Sequence, residues 1–212
     1  MKVPFLDLRV ANRNLKKRLL TRVNKVLTSG KILEGNEQKI FEKKFAKEVK
    51  AKYAVGVSSG SSALFLALKA VGIGPGDEVI TTPFTWIITV NAISSAGAKP
   101  VFVDIDENLN IDPEKIISAI TKKTKAIVPM HVGGKLCNMN KIFKIAKNYK
   151  LKIIEDAAQA FCSSYQNKRA GTYSDASAFS FNPMKILHTY GEAGAVITNN
   201  KILRKLSCCN PR

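Results

Sequence analysis

Between Tyr53 and Thr198 the chain repeats one pattern: a short apolar run, a turn, and then a segment whose apolar positions recur every three or four residues. The short runs predict β-strands at Tyr53–Ser58, Glu78–Thr82, Pro100–Asp104, Ala126–His131, Leu151–Glu155, Ala176–Phe181 and Ala195–Thr198. The periodic segments predict helices at Ser61–Val71, Trp86–Ala96, Pro113–Ile120, Asn138–Tyr149 and Lys201–Leu206, preceded by two more at Arg13–Thr28 and Glu37–Val49. Asp112 followed by Pro113 reads as an N-cap with proline at the first helical position. Strands alternating with helices predict an α/β fold, a mixed and mostly parallel sheet of seven strands flanked by helices.

The connections are short and rich in turn residues, as in Gly72-Ile73-Gly74-Pro75-Gly76-Asp77, and no linker divides residues 1–212. A length of 212 residues suits one large domain, or one plus a fragment. With 45% hydrophobic and 24% charged residues, the composition excludes disorder for the chain as a whole. The 34 Lys and Arg against 16 Asp and Glu give a net charge of +18. Such a balance suits nucleic acid, an anionic membrane face or a phosphorylated small molecule. The lysines are spread in pairs such as Lys16-Lys17 and Lys122-Lys123 without aromatic interleaving, and no helix-turn-helix, RNP or zinc pattern supports nucleic acid. Cys137, Cys162, Cys208 and Cys209 lack the spacing of a metal site or an extracellular staple. No signal-peptide core and no apolar run of membrane-spanning length is present, so the expectation is a soluble, cytoplasmic protein without a metal.

Three segments carry candidate chemistry. Ser58-Ser59-Gly60-Ser61-Ser62 joins a predicted strand to a predicted helix. Backbone N–H groups and the positive end of the helix dipole converge at such a turn, which suits an anion, although a serine-rich helix start also serves simply as a cap. It has neither the Walker pattern nor GxGxxG spacing. Glu155-Asp156-Ala157-Ala158-Gln159 ends a buried apolar strand, where open α/β sheets bind ligands. Phe179-Ser180-Phe181-Asn182-Pro183-Met184-Lys185 ends another and places a lysine near the sheet rim, with Gly191-Glu192-Ala193-Gly194-Ala195 six residues later. Partial desolvation there could make the amine a nucleophile.

In this order, a phosphate-suited turn, Trp86, Asp156, Ser180 and Lys185 resemble the DegT/DnrJ/EryC1/StrS family of pyridoxal-phosphate (PLP) sugar aminotransferases of fold type I. The likeness runs from "VPFLDL" at Val3 through "KVLTSGKILEGNEQKIFEKKFA", "AVGVSSGSSALFLAL", "GIGPGDEVITTPFTWIITVNAI", "AKPVFVDID" and "IIEDAAQA" to "AFSFNPMKILHTYGEAGAVITN". The resemblance implies that Lys185 joins PLP as a Schiff base and that Asp156 pairs with the pyridine nitrogen. It further implies that Trp86 stacks on the ring, Gln159 sits beside the ring hydroxyl, and Gly60, Ser61, the Ser62 N–H and Ser180 hold the phosphate. By the same resemblance the amino donor is glutamate, the acceptor is a nucleotide-linked keto-sugar, and the assembly is a homodimer.

Some positions depart from the family pattern. Ala193 stands where GEGGA is common, Cys162 where a glycine follows EDAAQA, and Asn138 where an aspartate is usual. The likeness fades near Leu206, and the family's C-terminal domain has no counterpart here. The expectation is therefore a truncated or frame-shifted product that is poorly active alone. A non-catalytic binding remnant is one rival reading. A related PLP sugar dehydratase is another, and Lys185 argues against it, because that chemistry is expected to carry a histidine at the lysine position.

Overall fold

The computed structural model describes residues 4–5 and 7–208. Val3 and Leu6 of the opening motif, and Cys209 with residues 210–212, lie outside the described residues. The chain falls into two compact units, Met1–Phe41 and Glu42–Arg212. The first holds α1 (Arg13–Ser29), capped by Asn12, whose side chain accepts from the Leu15 N–H, and closed by Gly30 at φ 64°. A left-handed glycine there ends a helix without steric cost. The boundary between the units falls inside α2 (Asn36–Glu48).

The second unit contains a seven-stranded sheet. Its strands are β1 (Tyr53–Val57), β2 (Glu78–Thr81), β3 (Lys99–Phe102), β4 (Thr124–Ile127), β5 (Lys152–Asp156), β8 (Ala176–Ser180) and β9 (Gly194–Thr198). They lie in the order β1-β9-β8-β5-β4-β2-β3. Pairing is parallel from β3 through β2, β4 and β5 to β8, and antiparallel where β9 meets β8 and β1. Only β9 therefore runs against the others. The carboxyl ends of six strands and the amino end of β9 share one edge, where ligands bind in sheets of this type.

Helices α3 (Gly60–Ala70), α4 (Ile87–Ser95), α5 (Pro113–Ile116), α6 (Met139–Tyr149) and α7 (Lys201–Cys208) complete the unit. Adjacent strand residues face opposite sides, and the core divides accordingly. Val79, Val128, Ile154 and Val196 pack with Leu64, Leu68 and Ile93, while Ile80, Ile127 and Ile153 pack with Ile116, Met139 and Ile142. Consecutive apolar residues in β2, β4 and β5 are thus what a sheet covered on both faces requires.

Three local features differ from the pattern-based expectation. The β4 ladder ends at Ile127 rather than His131, because Pro129 has no N–H to donate; Pro129 O instead accepts from the Asp156 N–H at 2.9 Å. The helix expected over Pro113–Ile120 is one α turn followed by a 3-10 turn at Ile117–Ala119, in a stretch whose β-branched Ile116, Ile117 and Ile120 are stiff in a helix. A small hairpin, β6 (Ser164–Tyr165) with β7 (Lys168–Arg169), was not foreseen. Its turn has positive φ at both Gln166 and Asn167, the geometry that favours tight hairpins, but glutamine gives no sequence signal for it.

Cys162 is exposed and adopts φ 64°, a left-handed conformation that costs a side-chain-bearing residue about 1–2 kcal/mol. Its carbonyl accepts from Arg169 Nη1 at 2.5 Å, which anchors the bend. Glycine removes that steric cost and gives back part of the gain through greater freedom in the unfolded chain. Cys162→Gly is expected to stabilise the protein by about 0.5–1 kcal/mol in chemical denaturation; a loss of stability would show that the bend does not strain the cysteine.

Candidate active site

The shared sheet edge collects the predicted residues from several elements. After β1 the chain turns through Ser58 and Ser59 into α3. Ser59 is the N-cap, and its hydroxyl accepts from the Ser62 N–H at 3.1 Å. The Ser62 hydroxyl lies 2.9 Å from that of Ser58 and 3.2 Å from that of Ser59. The Ser62 N–H expected to meet a ligand is therefore engaged by the cap. Ser61 is exposed and Gly60 half-buried.

Gly60 is required by space rather than by backbone conformation. A Cβ built on it would lie 2.6 Å from Ser180 Cβ, so the serine turn and the end of β8 are in close approach. Gly194, at the start of β9, closes the same corner: a Cβ there would meet the Ser59 carbonyl oxygen at 2.3 Å. The turn at 58–62, Ser180 and the Gly194 backbone thus form one cluster.

Asp156 ends β5, paired in register with Ala178, two residues before Ser180. Only 7% of it is exposed. Oδ2 accepts from the Thr89 hydroxyl at 2.7 Å and Oδ1 from the Ala158 N–H at 3.2 Å. Thr89 lies in α4, and its N–H donates to the carbonyl of Trp86, the residue at the α4 N-cap, at 2.9 Å. Trp86 is 65% exposed at this edge, so its ring is not spent on the core. Gln159 follows Asp156 by three residues, and its Oε1 accepts from the Gly133 N–H at 2.8 Å.

Lys185 is half-buried in the loop after β8, with its N–H donating to Asn182 O at 2.8 Å. The loop is tied at its base. Asn182 donates from Nδ2 to Glu192 Oε1 at 2.6 Å and accepts at Oδ1 from the Met184 N–H at 3.0 Å. Thr189 donates from its N–H to Phe181 O at 2.8 Å. Beneath the loop, Phe45 meets the rings of Phe179 and Phe181 edge-on at 5.2 and 5.0 Å, a favoured aromatic geometry.

Next to Asp156, on the other side of the pleat, lies a buried pair that the sequence did not single out. His131 Nε2 and Glu155 Oε2 are 2.9 Å apart, both fully buried. Glu155 also accepts from the N–H groups of Gly171 and Tyr173 at 2.9 Å and from the Ser174 hydroxyl at 2.7 Å. Nδ1 of His131 receives the Cys137 N–H at 3.3 Å, so the ring proton sits on Nε2 and is donated to the carboxylate. Burial pushes the Glu155 carboxyl up, but the donors around it prevail and hold it below the usual range. The backbone N–H of His131 donates to Asp156 O at 3.2 Å. The signal was present only as a histidine ending one predicted strand and a second acid beside Asp156.

Residues 13–209 match the model of the DegT/DnrJ/EryC1/StrS aminotransferase family. The chain belongs to that family. It is 51% identical over 182 residues to the spore coat polysaccharide biosynthesis protein SpsC of Bacillus subtilis, covering 85% of this chain and 46% of the relative. A dTDP-3-amino-3,6-dideoxy-alpha-D-galactopyranose transaminase of Aneurinibacillus thermoaerophilus is 48% identical over 199 residues, covering 93% of this chain and 55% of the relative. The structure of NtdA from Bacillus subtilis with bound cofactor PMP superposes with a TM-score of 0.91 at 39% identity, over 97% of this chain and 47% of that one. The chain spans about half the length of the curated relatives it matches.

The Glu155 pair has a pH signature. Its pKa is lower in the folded than in the unfolded chain, so its contribution is complete above the ordinary value of 4.5 and is lost as pH falls through the folded value. Glu155→Gln is expected to cost about 2–4 kcal/mol at neutral pH and to lose less stability than the parent between neutral pH and pH 3. Denaturation midpoints measured across that range check this, and parallel curves for the two proteins would contradict it.

Proposed function

We propose that this chain is the cofactor-binding portion of a PLP-dependent aminotransferase that transfers an amino group from glutamate to a nucleotide-linked keto-sugar, in amino-sugar or surface-polysaccharide synthesis. The observation that carries the reading is the meeting, at one sheet edge, of an anion-suited helix start, a buried carboxylate and a loop-borne lysine. The named sugar transaminase and the PMP-bound neighbour support it. A cytoplasmic setting and a homodimeric assembly go with the same reading. Among the described residues no helix is long and apolar enough to cross a membrane.

The residues present fit PLP. Four N–H groups at a helix start have no intrahelical acceptor. Here these are the N–H groups of Ser59 to Ser62; the Ser59 hydroxyl engages that of Ser62, and those of Gly60 and Ser61, at the tip of the helix, would face a phosphate. The closeness of Gly60 to Ser180 brings the Ser180 hydroxyl to the same group, with the exposed Ser61 hydroxyl beside it. Asp156 would hold the protonated ring nitrogen, Gln159 the ring hydroxyl, and Trp86 one face of the ring.

When bound, PLP supplies a ring that withdraws electrons from the substrate carbon losing its proton. Lys185 would hold the group covalently, and its freed amine would serve as the base toward the donor carbon and afterwards as the acid that passes the same proton on to the cofactor. Asp156 would stand beside the ring nitrogen, where a carboxylate favours the protonated ring. Glu192 and Thr189 hold the lysine loop by its ends.

The chain mixed with PLP is expected to gain a visible absorption band, and borohydride is expected to fix the cofactor on the peptide containing Lys185. Lys185→Ala should abolish both, and glutamate should bleach the band of the parent protein. Fixation on a different peptide, or none at all, would refute the assignment.

A further inference from the structure

The hydrogen bonds behind Asp156 have a fixed direction. An ionised carboxylate only accepts, so the Thr89 hydroxyl, 2.7 Å from Oδ2, must donate to it. That uses the only proton of the hydroxyl. The Thr85 hydroxyl, 2.8 Å from that of Thr89, must therefore be the donor in its own contact. The order of donation is Thr85 to Thr89 to Asp156.

The two ends of this chain are anchored independently. Thr89 is fully buried in α4 with its N–H bonded to Trp86 O. The Asp156 main chain is held from the segment after β4, its N–H by Pro129 O at 2.9 Å and its carbonyl by the His131 backbone N–H at 3.2 Å. Main chain and side chain are thus gripped from different elements. Without Thr89, Oδ2 would lose its side-chain donor in a site almost closed to water, and a carboxylate so placed turns to find another.

We propose that Thr89, oriented by Thr85, is a positioning residue that fixes the Asp156 carboxylate in a single rotamer for the ring nitrogen of the cofactor. The purpose of that rotamer rests on the function proposed above; its dependence on Thr89 does not. Successive donors polarise one another, so the outer hydroxyl strengthens the inner bond. The same contact couples α4, which carries Trp86 at its start, to the strand that carries the acid. Ring face and ring nitrogen would then be set by one connected unit.

The test uses labelled 212-residue chain without cofactor, as the parent and as Thr89→Val, Thr89→Ser and Thr85→Val. Three-bond NMR couplings across the Asp156 side chain report its rotamers. One rotamer is expected in the parent and in Thr89→Ser, averaging in Thr89→Val, and weaker averaging in Thr85→Val. Couplings in Thr89→Val equal to those of the parent overturn the proposal. If Thr89→Val does not fold, Thr85→Val decides, and parent-like couplings there overturn the oriented chain. With PLP added, Thr89→Val should weaken retention about tenfold and move the 15N resonance of the labelled ring nitrogen, and Thr89→Ser should restore both. A parent chain that takes up no PLP would sink the proposed function, while the rotamer measurement would still judge Thr89.

Discussion

Glu155 and Asp156 are consecutive carboxylates at the end of one strand, and the pleat sends them to opposite sides of the sheet. Everything at the site is arranged around that separation. On one side Glu155 is sealed by His131, by two backbone N–H groups and by Ser174. On the other, Asp156 receives Thr89 and Ala158. The first carboxylate is a bracket: its donors come from the segment after β4 and from residues 171–174, so it ties the strand to the loop that leads into β8. The second stands at the edge where the serine turn and the lysine loop arrive. Removing a donor on the first side leaves a fully buried carboxylate short of one of its partners, while removing one on the second frees a group to move.

The topology explains why so few residues suffice. β1, β5 and β8 run in the same direction, so the residues that follow them emerge at one edge without long connections. β9, running the other way, returns its first residue to that same edge. A sheet in which β8 ran against β5 would carry Ser180 and Lys185 to the far side. The site is in this sense a product of strand direction, which comes from the crossovers through α3, α4 and α6, more than of any individual side chain.

Much of this was legible in the residues. Consecutive β-branched runs such as Val79-Ile80 and Ile153-Ile154 demand burial on both faces, and the helical period between them supplies the covering layers, so the sheet and its seven strands follow from pattern alone. The site residues were legible through the order of their motifs, since no single segment would have identified them. What escaped notice depends on partners distant in the chain. Thr89 is one of several threonines in "TTPFTWIIT", and only its placement opposite Asp156, 67 residues later, gives it meaning. His131 and Glu155 are 24 residues apart and meet because β4 and β5 are neighbours. The hairpin at 164–169 was missed for a local reason, because Gln166 adopts a conformation that its type rarely takes.

The glycines of the segment 191–195 show how the family pattern yields to geometry. Two positions in the middle of that motif are commonly glycine, and this chain has alanine at one, Ala193, and glycine at the other, Gly194. They are not equivalent. Ala193 is half-buried, and its carbonyl accepts from the Phe181 N–H at 2.8 Å, a bond that any residue can make. Gly194 faces the backbone of Ser59 and Gly60, with its would-be Cβ 2.3 Å from one atom and 2.7 Å from another, and backbone cannot swing aside as a flexible side chain would. Its φ is ordinary, so the requirement is for room rather than for a special conformation. Alanine is therefore accepted where only a hydrogen-bonding carbonyl is needed, and glycine persists where β9 must pass against the serine turn.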